Sequence, residues 1–270
     1  MSPSTLSRSI GSPRARSAYE PNDRSMSDVT IKIPRRFCGP PLSGNGGYTG
    51  GRLAEHVAIA EDAPAVAVRL FAPTPLERSL TVHGVDGRVE LRDGDTLLAR
   101  AHATSLDLEP PAPPDLDTAT RAAKDFRGFH EHVFPGCFVC GPDRPEGDGL
   151  RIFPGPANAE GLFAAPWTPD ESLRGEGDSL SIGIVWAALD CPGAFSFPQP
   201  EGRVLLLGKM KVRSLAPVEI GEACIVTSWY FEQDGRKHRT GSALHGEGGA
   251  CRAYAQTLWI EVDPESVPRD

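Results

Sequence analysis

At 270 residues the chain is long enough for one large domain or two small ones. A net charge of -8 argues against nucleic acid and anionic membrane as main partners, and no apolar run approaches the roughly 18 residues of a membrane span. The N-terminus carries arginines and serines but no apolar secretory segment, and six cysteines without such a signal predict reduced thiols in a cytoplasmic setting.

Residues 1–27 are rich in Ser, Pro and Arg, lack periodicity and predict a disordered tail. Val29-Thr30-Ile31-Lys32-Ile33 alternates as a short strand. A glycine-rich stretch, SGNGGYTGG, follows, and residues 53–60 carry helical character through Leu53, Ala54, Val57 and Ala58. Strands are predicted over 65–71, 80–91 and 96–108, with Asp86-Gly87 and Asp93-Gly94 as turn signals. From Glu109 a proline-rich linker leads to a short amphipathic helix over 118–129. In the second half, a loop passes into a strand over 150–153, with 161–165 as its expected partner. Longer strands follow over 204–215, 223–232 and 239–244, with a hairpin at Gln233-Asp234-Gly235-Arg236, and a last strand runs over 251–262. The expected division is an N-terminal unit over 28–109, a linker with a short helix over 110–133, and a C-terminal unit over 134–264.

Residues 181–195, SIGIVWAALDCPGAF, are the stretch around which the rest is organised. Ile182, Val185, Trp186 and Leu189 recur at i, i+3, i+4, i+7. Ile184, Ala187, Ala188 and Cys191 fill the other side, and a helix apolar all round is buried. Pro192 and Gly193 end it. Asp190 conflicts with these surroundings. A buried carboxylate is costly, and the negative end of the helix dipole disfavours it further. Broken local rules mark functional sites, so Asp190 is the leading catalytic candidate. An aspartate that caps a loop or pairs with an arginine is the competing reading.

The halves repeat each other. VRLFAP at 68–73 matches VRSLAP at 212–217, 144 positions on (212 minus 68). RAHATSL at 100–106 matches RAYAQTL at 252–258, 152 positions on (252 minus 100). Order and spacing both hold, as in a duplicated unit. Each copy reads as a strand, a central helix and a run of antiparallel strands, which must bury one sheet face and the helix together.

This pattern resembles the hotdog fold, an α+β architecture in which a curved antiparallel sheet wraps one long helix. Given twice, it resembles a double hotdog: two antiparallel sheets, each wrapping a central helix, joined into a pseudo-dimer. The glycine-rich helix start SGNGGYTGG and the CFVCGPDRPEGDGL opening of the second copy are similar to those of hotdog thioesterase-like proteins.

The resemblance implies a thioesterase acting on an acyl-CoA or similar acyl thioester. Its alternatives are a hydratase or dehydratase of enoyl thioesters and a non-catalytic acyl-binding protein. By analogy, a helix amide from one copy faces a carboxylate from the other. Gly47 N–H would be the oxyanion donor opposite Asp190 as base or nucleophile, with Asn45 positioning where the family often shows histidine. The reciprocal pair would be Gly183 with Glu55, although Arg52 and His56 around Glu55 predict a solvated or salt-bridged side chain. Gly46, Tyr48, Gly183 and Trp186 are the expected substrate contacts, with the acyl chain between the two central helices. No cofactor is implied, and pairing of two such chains as a homodimer stays open. Cys137 and Cys140, with His130 and His132 upstream, offer four zinc-type ligands, but the spacing fits no common zinc pattern and no metal is expected. Cys191 is assigned to packing.

Overall fold

Alternating apolar residues separated by tight glycine turns build one antiparallel sheet. The computed structural model describes residues 29–174 and 178–268; the tail expected over 1–27 lies outside them. In chain order the elements are β1 (Val29–Lys32), α1 (Gly46–Ala54), β2 (Ala65–Leu70), β3 (Ser79–Val85), β4 (Arg88–Asp93), β5 (Thr96–Thr104), α2 (Leu116–Ala123), β6 (Gly155–Pro156), β7 (Phe163–Trp167), α3 (Ile182–Asp190), α4 (Pro192–Phe195), β8 (Val204–Ser214), β9 (Cys224–Asp234), β10 (Lys237–His245) and β11 (Cys251–Val262). Among the described residues no helix is long and apolar enough to cross a membrane.

Asp86 (φ 49°) and Gly87 (φ 71°) both take the left-handed region that a two-residue hairpin requires. The turn falls inside the strand expected over 80–91 and divides it into β3 and β4. The strand expected over 150–153 does not form. Leu150 N–H donates to Phe138 O and Ile152 N–H to Val139 O, and Arg151 between them has a positive φ of 54°. This segment therefore braces the 137–140 turn, and β7 pairs with β6 and β9 instead. The helix expected over 118–129 is the shorter α2, followed by a 3-10 turn at Arg127–Phe129.

The strand order is β1-β3-β4-β5-β2-β8-β11-β10-β9-β7-β6. The two sheets expected from the sequence are thus one sheet of 11 strands, because β2 and β8 pair antiparallel, with Val66 opposite Val212 and Val68 opposite Met210. Unpaired strand edges expose rows of N–H and C=O groups, and pairing β2 with β8 removes two such edges at once.

The glycine-rich stretch is itself helical. The helix expected over 53–60 begins at Gly46 and ends at Ala54. Each glycine costs a helix roughly 1 kcal/mol relative to alanine, so local propensity disfavours α1. Tertiary packing reverses that. Gly47, Gly50 and Gly51 share one helical face, and this face lies on α3. A Cβ at Gly51 would stand 2.7 Å from Gly183 Cα, and one at Gly47 2.6 Å from Trp186 O. The two helices therefore cross in backbone contact. Trp186, Leu189, Leu53, Val68, Leu80, Leu91 and Met210 fill the core around the crossing, each burying a side chain worth about 1.5–3 kcal/mol.

Candidate functional site

The last turn of α3 is fixed by hydroxyls from the sheet. Ser242 Oγ donates to Leu189 O (2.6 Å), and Ser228 Oγ donates to Pro192 O (2.8 Å). Helix ends leave carbonyls without intrahelical partners; β9 and β10 supply them here, and that anchors the turn carrying Asp190.

Asp190 is 2 % exposed. It meets the start of α1: Gly47 N–H and Asn45 Nδ2 both donate to Oδ2, at 2.8 and 2.9 Å. Asn45 Oδ1 in turn accepts Tyr48 N–H at 2.8 Å, so one side chain caps α1 and orients the carboxylate. A helix N-terminus favours an anion, and this offsets the unfavourable place of Asp190 at the C-terminus of its own helix. Among the described residues Asp190 Oδ1 has no hydrogen-bond partner. Burial pushes the carboxyl up to about 7. The Gly47 amide and Asn45 pull against burial, and neighbouring Cys137 reinforces it.

Asn45, Gly46 and Asp190 form part of the wall of a cavity of about 750 Å³. Leu70, Phe134, Phe195, Leu207, Trp259 and Ile260 make much of the remainder apolar. The cavity lies beyond the ends of α1 and α3. It does not lie between them, where the acyl chain was expected, because the glycine face of α1 closes that seam.

Three thiols stand on the same wall. The Sγ atoms of Cys137, Cys140 and Cys191 lie within 4.8 Å of one another, all buried, with Cys137 and Cys191 3.7 Å apart. Cys137 and Cys191 are within hydrogen-bond reach with either sulfur able to donate; the neighbouring Cys140 and Cys191 thiols hold Cys137 below the ordinary value, while burial pushes Cys140 up. Cys191 packs in the main hydrophobic core, as do Cys137 and Cys140. His130 lines the cavity, and His132 Nδ1 accepts Phe134 N–H at 3.0 Å. Neither histidine belongs to the close group of sulfurs.

Arg127 also lines the cavity, and nothing in its sequence context points to it. Its guanidinium donates to Ala194 O (2.7 Å) and to Phe197 O, and lies over the Phe195 ring at 5.0 Å. Burial pushes it down to about 10.

The other expected site residues lie elsewhere. Glu55 follows the end of α1 and accepts from Arg52 Nε at 3.1 Å. Arg52, the partner of Glu55, packs against Gly183, with its Cδ 2.9 Å from where a Cβ at Gly183 would stand. Gly183 and Trp186 lie in the helix crossing. Tyr48 stacks on Phe37 with ring centroids 3.9 Å apart. None of these three lines the cavity, whereas Gly46 does.

No protein-family model and no curated protein matches this sequence. Solved structures do match. TesB protein MAP1729c of Mycobacterium avium subspecies paratuberculosis has a TM-score of 0.53 at 13 % identity, covering 81 % of this chain and 87 % of that one. A candidate thioesterase from Novosphingobium aromaticivorans has a TM-score of 0.54 at 13 % identity, covering 86 % and 94 %. Acyl-CoA thioesterase II TesB2 from Mycobacterium marinum has a TM-score of 0.50 at 12 % identity, covering 82 % and 92 %. At these identities the likeness establishes a shared fold.

Proposed function

With a hotdog fold shared with thioesterases as the premise, we propose that this chain hydrolyses an acyl thioester, an acyl-CoA or a similar ester, at Asp190. One observation carries the reading. A buried carboxylate has one oxygen held by two donors and the other without a partner among the described residues, on the wall of a largely apolar cavity. Asp190 Oδ1 takes a proton from water, and the water oxygen bonds to the thioester carbonyl carbon. The C–S bond then breaks, and the proton leaves with the thiol sulfur. The products are a carboxylic acid and a free thiol.

The developing oxyanion needs a donor aimed at it. Gly47 N–H is engaged with Asp190, so the role expected for it passes to its neighbour. Gly46 is the first helical residue and lines the cavity. Its N–H is one of those that a helix cannot satisfy internally. Leu70, Phe134, Phe195 and Leu207 seat the acyl group. Asn45 and Gly47 hold the base.

The same reading treats 28–109 and 134–264 as two copies of one unit, the first five strands matching β7 to β11. Their orders, 1-3-4-5-2 and 8-11-10-9-7, are mirror-related across the β2–β8 junction. Ala67 pairs with Lys211, the residue 144 positions on (211 minus 67) and hence its counterpart at the offset of the VRLFAP/VRSLAP match that begins one residue later. A two-fold axis places a residue opposite itself in this way. At the counterpart site Arg52 packs against Gly183 and donates to Glu55, so one site works.

The test is Asp190→Asn against a panel of acyl-CoA esters, read as free thiol release. Loss of at least ~10²-fold in kcat/KM is expected; activity equal to the parent removes Asp190 from the mechanism. Hydration of an enoyl-CoA without thiol release would install the hydratase alternative. That chemistry pairs a histidine with the carboxylate, and the donors to Asp190 here are Gly47 and Asn45.

A further inference from the structure

Cys191 is 54 positions from Cys137, yet the fold brings its sulfur to the Cys137-x-x-Cys140 turn. We propose that Cys137, Cys140 and Cys191 form a binding site for a thiophilic divalent cation of the zinc class, with its fourth position on the cavity side.

The sulfur geometry fits such a cation. A tetrahedral zinc thiolate site with Zn–S near 2.3 Å has sulfurs about 3.8 Å apart. Cys137 and Cys191 are 3.7 Å apart, and Cys140 lies within 4.8 Å of both. A disulfide would need ~2.05 Å. Free cysteine packs as a small apolar side chain, and nothing in apolar packing requires three sulfurs to converge on one point.

The three sulfurs are also preorganised. Gly141 N–H donates to Cys137 O (2.9 Å) and closes the turn, with no room for a Cβ at Gly141, which would stand 2.5 Å from Cys137 O. Phe138 N–H donates to Cys38 O (2.8 Å), and Leu150 and Ile152 brace the turn from behind. Cys191 sits at the joint of α3 and α4, fixed by Ser242 and Ser228. Ligands held by such supports are what a metal site needs.

The surrounding charge suits a thiolate-bound cation. Three thiolates and a divalent cation leave one negative charge. Arg127 stands on the same cavity wall, and its hydrogen bonds among the described residues go to main-chain carbonyls. It is a half-buried cation available to balance that charge. Asp190 Oδ1, on the residue next to Cys191, is buried with no hydrogen-bond partner among the described residues. Such an orphan asks for an explanation, and a cation-bound water on the cavity side supplies one. Binding releases three thiol protons to solvent and changes no oxidation state. The cation would tie the 137–140 turn to the helix end that carries Asp190.

The test uses the full chain, reduced, stripped with chelator and titrated with cobalt(II), then zinc. The expected result is about one equivalent per chain, with thiolate-to-cobalt charge-transfer bands and the visible bands of tetrahedral cobalt(II), displaced by zinc. Cys140→Ser should weaken binding more than ~100-fold, beyond what outer-shell changes are worth, while Cys251→Ser leaves it unchanged. The inference is overturned if the reduced chain shows no thiolate-to-cobalt band, if the band survives in Cys140→Ser, or if two of the three sulfurs are found as a disulfide that reductant does not open. Should Cys140→Ser not fold, zinc K-edge absorption on the unaltered chain decides: sulfur scatterers near ~2.3 Å support the site, and a shell of oxygen and nitrogen alone overturns it. None of these readouts depends on thioester turnover.

Discussion

Alanine in place of Gly51 sets two effects against each other. Helix propensity alone makes Gly→Ala inside a helix stabilising by about 1 kcal/mol. Here the added Cβ would lie 2.7 Å from Gly183 Cα, 2.8 Å from Trp186 Cβ and 2.9 Å from Ile182 O. Comfortable carbon contacts begin near ~3.5 Å. None of the three atoms can rotate away, since each is backbone or Cβ. α1 and α3 must therefore separate, and each is already seated on the sheet. Overpacking costs about 1–3 kcal/mol, and three contacts that cannot yield put Gly51 at the upper end, so after the propensity gain of about 1 kcal/mol the net loss is about 2 kcal/mol. Gly50→Ala is the internal control: its Cβ would meet Trp186 ring atoms at 3.2 and 3.3 Å. Crowding and propensity nearly cancel there, and the change stays within ~0.5 kcal/mol of zero. Urea unfolding reads both as midpoint shifts at unchanged slope. A Gly51→Ala protein as stable as the parent, or less perturbed than Gly50→Ala, would refute the backbone-contact crossing.

Asn45→Ser keeps an oxygen to cap Tyr48 N–H but removes the donor to Asp190. Stability should stay within ~1 kcal/mol of the parent, while thiol release falls at least ~10-fold; unchanged turnover would show that Asn45 does not orient the carboxylate. Glu90 is 5 % exposed and accepts from Arg100 Nε (2.8 Å) and Arg92 Nε (2.9 Å). Burial pushes its carboxyl up, and the two arginines together outweigh burial and hold it below the usual range. A depressed folded value stabilises above the unfolded pKa of about 4.3, and that contribution is lost as pH falls through the folded value. Glu90→Gln should therefore cost about 1–2 kcal/mol at pH 7, between a surface and a buried pair. The difference from the parent should shrink below about pH 4, as followed by denaturation at several pH values; a gap that stays constant into acid would mean the charge is irrelevant.

Local chemistry by itself placed most of the strands, the hairpin turns and the buried helix of this protein, though not the segment over 150–153. Asp86-Gly87 and Asp234-Gly235 announce hairpins, because a left-handed turn is decided by the residues that make it. The apolar run at Ile182–Asp190 announces a buried helix, and Asp190 stands out because one charge contradicts its immediate surroundings. The partners of Asp190 were suggested only by family analogy, and Gly47 is 143 positions away. Tertiary structure alone decided that α1 runs through its glycines, since their value lies in the approach of Gly183 and Trp186 from another segment. It also decided that β2 and β8 fuse two expected sheets, that Arg127 stands in the cavity wall, and that Cys191 joins Cys137 and Cys140. Each of these depends on distances set by sheet register and helix crossing, which no window of neighbouring residues contains.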